Sequence, residues 1–163
     1  MLENLSIVKD LAFILNQIVE KNMADSDDIN LASAMAAFES KQFADALRLF
    51  MPFAVEGDAD AQHRIAIIYQ NGLGVVKSCE NAFKWMKASA EQGYAIAQHG
   101  LGFMYLEGEC AEQDSIAAAN WFEMAAKQDL AGSQTTLAQM YEQGNGVEQD
   151  ADKAKEWYAK AGF

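Results

Sequence analysis

The chain has 163 residues, 51% of them hydrophobic, a single proline, and 24 acidic against 12 basic side chains, for a net charge of −12. A grip on nucleic-acid phosphates needs clustered Lys and Arg, so this balance argues against nucleic acid as a partner. The scarcity of proline and the absence of alternating Val, Ile and Thr runs argue against a sheet and for an all-α chain of one domain.

Residues 1–24 read as an amphipathic helix. Leu5, Val8, Leu11, Leu15, Ile18 and Val19 form a stripe that Ile7, Phe13 and Ile14 widen. Its longest apolar run, Leu11 to Leu15, is too short for a signal peptide's core or for a bilayer span. The expectation is a cytoplasmic protein with no membrane partner, the periplasm staying open. The stripe is expected to cap the first repeat or to serve self-association or docking. A polar break at Asp25 to Asn30 follows, then two helices over Leu31 to Lys41 and Gln42 to Val55. Pro52 lies inside the second and removes a backbone bond, which predicts a bend.

From Ala61 onward the chain repeats itself. Trp85, Trp121 and Trp157 stand 36 residues apart, in phase with Gln62, Gln98 and Gln134, with Tyr69, Tyr105 and Tyr141, and with Gly72, Gly108 and Gly144. A period of this length marks stacked units that cannot bury their apolar faces alone. Within a unit, Ala61, Ile65, Ala66, Ile68 and Tyr69 share one face of a helix A that Gly72 ends. Ala82, Trp85, Met86, Ser89 and Ala90 then share a face of helix B, which stops at Gly93. Ser78, Asp114 and Asp150 precede successive B helices, where they can accept the free N–H groups. The indole rings are expected between successive layers, with Ala, Gly and Ser opposite Trp and Tyr where helices approach closely.

The pattern A-Q-x-x-[LI]-[GA]-x-x-Y-x-x-G-x-G-V, followed by Asp and A-x-x-W-Y-x-x-A, resembles the Sel1-like repeat family, a relative of the tetratricopeptide repeats. The resemblance implies a right-handed α-solenoid of stacked helix hairpins with a 36-residue period. It divides the chain into a capping or docking helix over 1–24, a degenerate first repeat over 25–60, repeats over 61–96 and 97–132, and a last repeat over 133–163 that stops as helix B finishes. That stop leaves one face uncapped, so self-association through it or through the N-terminal helix is a further expectation. Cys110 and Asp129 depart from the pattern, each standing where the family usually has glycine.

The two cysteines, Cys79 and Cys110, lie near A-to-B turns. They could approach across neighbouring units, but free thiols are the expectation. The family's cysteine-rich members carry a pair within each repeat, and this chain does not.

No catalytic constellation stands out, and neither a cofactor nor a metal is expected. His63 and His99 occupy one repeat position, and stacked units place such positions about 9 to 10 Å apart, too far for a shared zinc. Ser6 and Lys9 match the S-x-x-K of penicillin-interacting enzymes, with neither S-D-N nor K-T-G behind them.

In tetratricopeptide-like arrays the A helices line the concave side, and the resemblance implies the same here. The candidate partner-binding residues are then His63, Ile67 and Gln70; His99, Phe103 and Leu106; and Thr135, Gln139 and Glu142. The opposing reading is that the next repeat covers them. The acidic excess sits in residues 1–60 and 101–163, consistent with a basic partner and equally with plain solubility. The leading expectation is a non-enzymatic adaptor or assembly factor that binds a protein or peptide in its groove. Alternatives are a stoichiometric inhibitor, such as a bacterial immunity protein against a toxin, and, more remotely, a β-lactam-binding hydrolase.

Overall fold

A computed structural model describes residues 30–163, together with Gln17. The N-terminal helix expected over 1–24, and Ser6 and Lys9 within it, lie outside the described residues. The chain divides into two compact units, Met1–Leu49 and Phe50–Phe163. Among the described residues every regular element is a helix.

Helix α1 covers residues 30–39, and α2 (Phe43–Glu56) follows a turn in which Lys41 takes a left-handed φ of 61°. In the first unit the rings of Phe38 and Phe43 meet edge-on, with centroids 5.4 Å apart. Pro52 does not end α2, which continues to Glu56. Further along, Ala54 is buried and Gly57 has φ 104°, the pattern that Ala90 and Gly93 show at the end of a full repeat.

The second unit is a stack of helix hairpins: α3 (Ala59–Asn71) with α4 (Cys79–Glu91), α5 (Ala95–Glu107) with α6 (Ser115–Ala126), and α7 (Ala131–Gln143) with α8 (Ala151–Lys160). Each hairpin also packs on the next, through α4 on α5 and α6 on α7. Helix A starts at Ala59, Ala95 and Ala131 and helix B at Cys79, Ser115 and Ala151, so the 36-residue period is the period of the fold.

Local chemistry sets the boundaries. Gly72, Gly108 and Gly144 close the A helices at φ 64°, 69° and 68°, a conformation that costs an L side chain energy. At the start of the B helices, Asp114 accepts hydrogen bonds from the amides of Ile116 and Ala117, and Asp150 from those of Asp152 and Lys153. Ser78 caps the first B helix through the Asn81 amide at 3.3 Å. Cys110 and Asp129, where the family pattern has glycine, take the glycine conformation anyway, at φ 63° and 62°.

The core is made of Ile65, Ile68, Met86, Leu101, Met104, Phe122 and Leu137, all essentially inaccessible. The tryptophans are half-buried at its margins. Trp85 and Trp121 lie against the cluster shared by α3, α4 and α5, and Trp157 against the cluster of α6 and α7. Small residues do allow close approach, but at Gly100 and Gly102 the large partners are not indole or phenol rings. A Cβ on Gly100 would come within 2.9 Å of the Met86 sulfur, and one on Gly102 within 2.8 Å of the Phe122 ring.

The recurrent glutamines are buried and join the layers. Gln62, Gln98 and Gln134 each donate to a carbonyl eight residues back, at Ala54, Ala90 and Ala126, a second donor beside the amides of Gly57, Gly93 and Asp129 at the end of the preceding helix. Gln62 and Gln98 in turn accept from Gln92 and Gln128 at 2.7 and 2.8 Å.

Candidate functional site

Helices α3, α5 and α7 carry the nine candidate binding residues in three matching rows, because each row holds one repeat position. The first row is His63, His99 and Thr135. The His63 ring meets Tyr94 edge-on at 5.6 Å, and Tyr94 donates to Asp60 at 2.9 Å. His99 Nδ1 lies 2.8 Å from Ser133 Oγ, and its ring packs edge-on against Phe103 and Phe122. Thr135 returns its hydroxyl to the Ala131 carbonyl. Burial pulls both histidines below their ordinary pKa of 6.5, which Asp60 opposes at His63 and Arg64 reinforces.

The second row is Ile67, Phe103 and Gln139. Ile67 and Phe103 are half-buried against the two core clusters, and Gln139 is exposed. Phe103 completes an aromatic triangle with His99 and Phe122, its centroid 5.0 Å from that of Phe122. The third row is Gln70, Leu106 and Glu142. Gln70 donates to Glu109 at 3.2 Å, Leu106 packs on the α6–α7 core, and Glu142 accepts from the Tyr158 hydroxyl at 3.2 Å. Ile67, Phe103 and Leu106 are thus all partly buried against the stack.

Two features escaped the sequence reading. Cys79 and Cys110 are not free thiols but a disulfide, with Cα atoms 4.6 Å apart. The left-handed backbone at Cys110 folds the loop after α5 back onto the first turn of α4, and this puts the two side chains in reach. The other feature is an open cleft of about 930 Å³ between the loops after α5 and α7, whose wall includes Tyr105, Glu112, Asp114, Ile116, Val147 and Glu148. The shared register of 112 and 148 was visible in sequence, but their meeting at one cleft was not.

Among the described residues no group of three or more His, Cys, Asp or Glu could hold a metal ion, and no helix is long and apolar enough to cross a membrane. Hairpins stacked in register, with half-covered side chains on every A helix, define a helical-repeat scaffold. Three consecutive matches to the Sel1 repeat model, over residues 59–94, 95–130 and 131–162, give that scaffold its family. The chain belongs to the Sel1 repeat family.

Solved structures agree. A Sel1 repeat protein from Oxalobacter formigenes is 29% identical with a TM-score of 0.77, the match covering 80% of this chain and 54% of that one. A protective antigen present in uropathogenic Escherichia coli strains, displaying an SLR fold, is 32% identical with a TM-score of 0.79, over 86% of this chain and 32% of that one. Helicobacter pylori cysteine rich protein B, at 15% identity and TM-score 0.59 over 74% and 86%, shares the fold alone. The chain thus spans about half and about a third of the first two relatives. A comparison with curated proteins finds no match. Sel1 repeats generally mediate protein–protein interaction and are typically non-catalytic scaffolds.

Proposed function

We propose that this protein is a non-enzymatic adaptor that holds a protein or peptide partner against the exposed edges of α3, α5 and α7. The observation that carries this reading is the register of the three rows: Ile67, Phe103 and Gln139 recur at one repeat position, so the A helices present a continuous, ordered surface to a single extended partner. Ile67, Phe103 and Leu106 supply apolar contact, and Gln70, Gln139 and Glu142 supply hydrogen bonds at the rim. The family's interaction role supports the same reading. The Cys79–Cys110 bridge favours an oxidising compartment such as the periplasm over the cytoplasm expected from sequence, because reducing pools keep cytosolic thiols free.

Phe103 also supports the core, so its loss would confound binding with folding. The test uses exposed positions instead. A photo-cross-linking amino acid at Gln139 or Glu142 should trap a discrete partner in cells, while the same group at Lys84 or Asn120 on the B helices should not. Equal trapping on both faces, or none on the A helices, would remove the site.

A further inference from the structure

The cleft between the loops after α5 and α7 can be compared with its own counterpart one repeat earlier. There, Cys79 and Cys110 fill the junction with a covalent bridge, and Lys77 bonds Glu109 across it at 2.9 Å. At the second junction the matching positions are Ser115 and Gly146, and in place of a bridge the Gly146 backbone packs directly on the Ser115 carbonyl. Lys77 is matched by Gln113, whose side chain turns back to donate to the Leu106 carbonyl at 2.9 Å. Val76 and Ser78 are matched by the carboxylates Glu112 and Asp114.

Around the Gly146–Ser115 contact lies the cleft, with three carboxylates on its wall and no lysine or arginine among its lining residues. Neither Glu112 nor Glu148 forms an ion pair among the described residues. Asp114 spends one oxygen on capping α6 and keeps the other as an acceptor. Beside them stands apolar surface: Ile116 is 65% exposed, next to Val147 and Tyr105. The walls are held in place by the Asp114 cap and by Gln113 and Gln149, which bond the carbonyls of Leu106 and Glu142. A rigid recess pairing carboxylates with aliphatic surface fits the two halves of a lysine or arginine side chain, a cationic tip on an apolar stem.

We propose that this cleft is a second docking site, separate from the A-helix surface, and that its occupant is a basic segment of a protein partner. Lysine or arginine tips sit among Glu112, Asp114 and Glu148, and the stems and an adjacent apolar residue lie on Ile116, Val147 and Tyr105.

The probe is a capped, dye-labelled peptide of sequence Lys-Leu-Lys-Leu-Lys, with Glu-Leu-Glu-Leu-Glu as control. Titrated into isotope-labelled protein, the basic peptide should saturably shift amides at 112–116 and 144–148, and the acidic one should not. The E112Q/E148Q variant should bind it about tenfold more weakly, as expected for two surface ion pairs. Its thermal unfolding should be unchanged, because both side chains are exposed. Replacing Gln139 and Glu142 by alanine should leave this affinity intact. The proposal falls if nothing saturates below about 1 mM, if the shifts spread over the acidic surface without centring on the cleft, or if E112Q/E148Q binds as well as the parent. Shifts confined to α3, α5 and α7 would overturn it while leaving the A-helix adaptor reading standing.

Discussion

Gly146 lies so close to Ser115 that a Cβ added to it would overlap the Ser115 carbonyl and reach within 3.0 Å of the Ile116 amide. Its backbone also has φ 72°. Both facts penalise a side chain there, so Gly146→Ala should lower stability by about 2 to 4 kcal/mol. Gly93, with φ 90° and nothing within 4 Å of an added methyl, isolates the conformational part, and Gly93→Ala should cost about 1 kcal/mol. Denaturant midpoints compare the two. Equal losses would mean that the approach to Ser115 is not tight.

One repeat earlier the same junction is covalent, closing a loop of 31 residues in sequence. Reduction, or replacement of both cysteines by serine, should lower stability by about 3 kcal/mol through the freedom returned to the unfolded chain. The oxidised protein unfolded without reductant should show no free thiol. Two titratable thiols under those conditions would rule out the bridge.

Gln98 both satisfies the Ala90 carbonyl and accepts from Gln128, which also bonds the Gly93 carbonyl. Gln98→Leu leaves the Ala90 carbonyl with the Gly93 amide as its remaining donor and takes the acceptor from Gln128, so it should cost about 1 kcal/mol. Gln128→Leu, at an exposed position, should cost less. A double-mutant cycle on the pair should return a coupling of at least about 0.5 kcal/mol. Strict additivity would show that the link between layers contributes nothing.

Burial holds His63 and His99 below the ordinary pKa of 6.5, so below that pH the unfolded chain takes up protons that the folded chain resists. Stability is therefore fullest above about pH 6.5 and falls as pH drops through the lowered folded-state values. Melting temperatures between about pH 8 and pH 5 should decline, and His99→Gln should flatten the slope. A flat profile in the parent protein would contradict the burial of both rings. Glu109, pulled down by hydrogen bonds from Lys77 and Gln70, acts only at lower pH.

The helices were legible because their signals are local. Apolar spacing, a glycine at the end of each A helix and an acidic or hydroxyl cap before each B helix recur at a fixed interval, and each acts within a few residues of itself. Even Asp129 and Cys110 could be flagged as departures, since they interrupt a column of glycines. The candidate rows on the A helices were legible in register for the same reason. How far each side chain is covered was not, because Phe103 is packed by His99 on its own helix and by Phe122 on the next.

By itself, the sequence determined the class of fold, the period, the ends of the helices and the charge, all of which follow from residue type and spacing along one chain. Tertiary structure alone decided which residues meet across layers. It joined Cys79 to Cys110, set Met86 and Phe122 rather than the tryptophans at the close approaches, buried the glutamines against helix ends, and brought three carboxylates to one cleft around the Gly146–Ser115 contact. The reason is geometric. A repeat fixes what each position is within its own unit, but contacts between units depend on backbone separations of a few ångströms, which are set by how the hairpins stack.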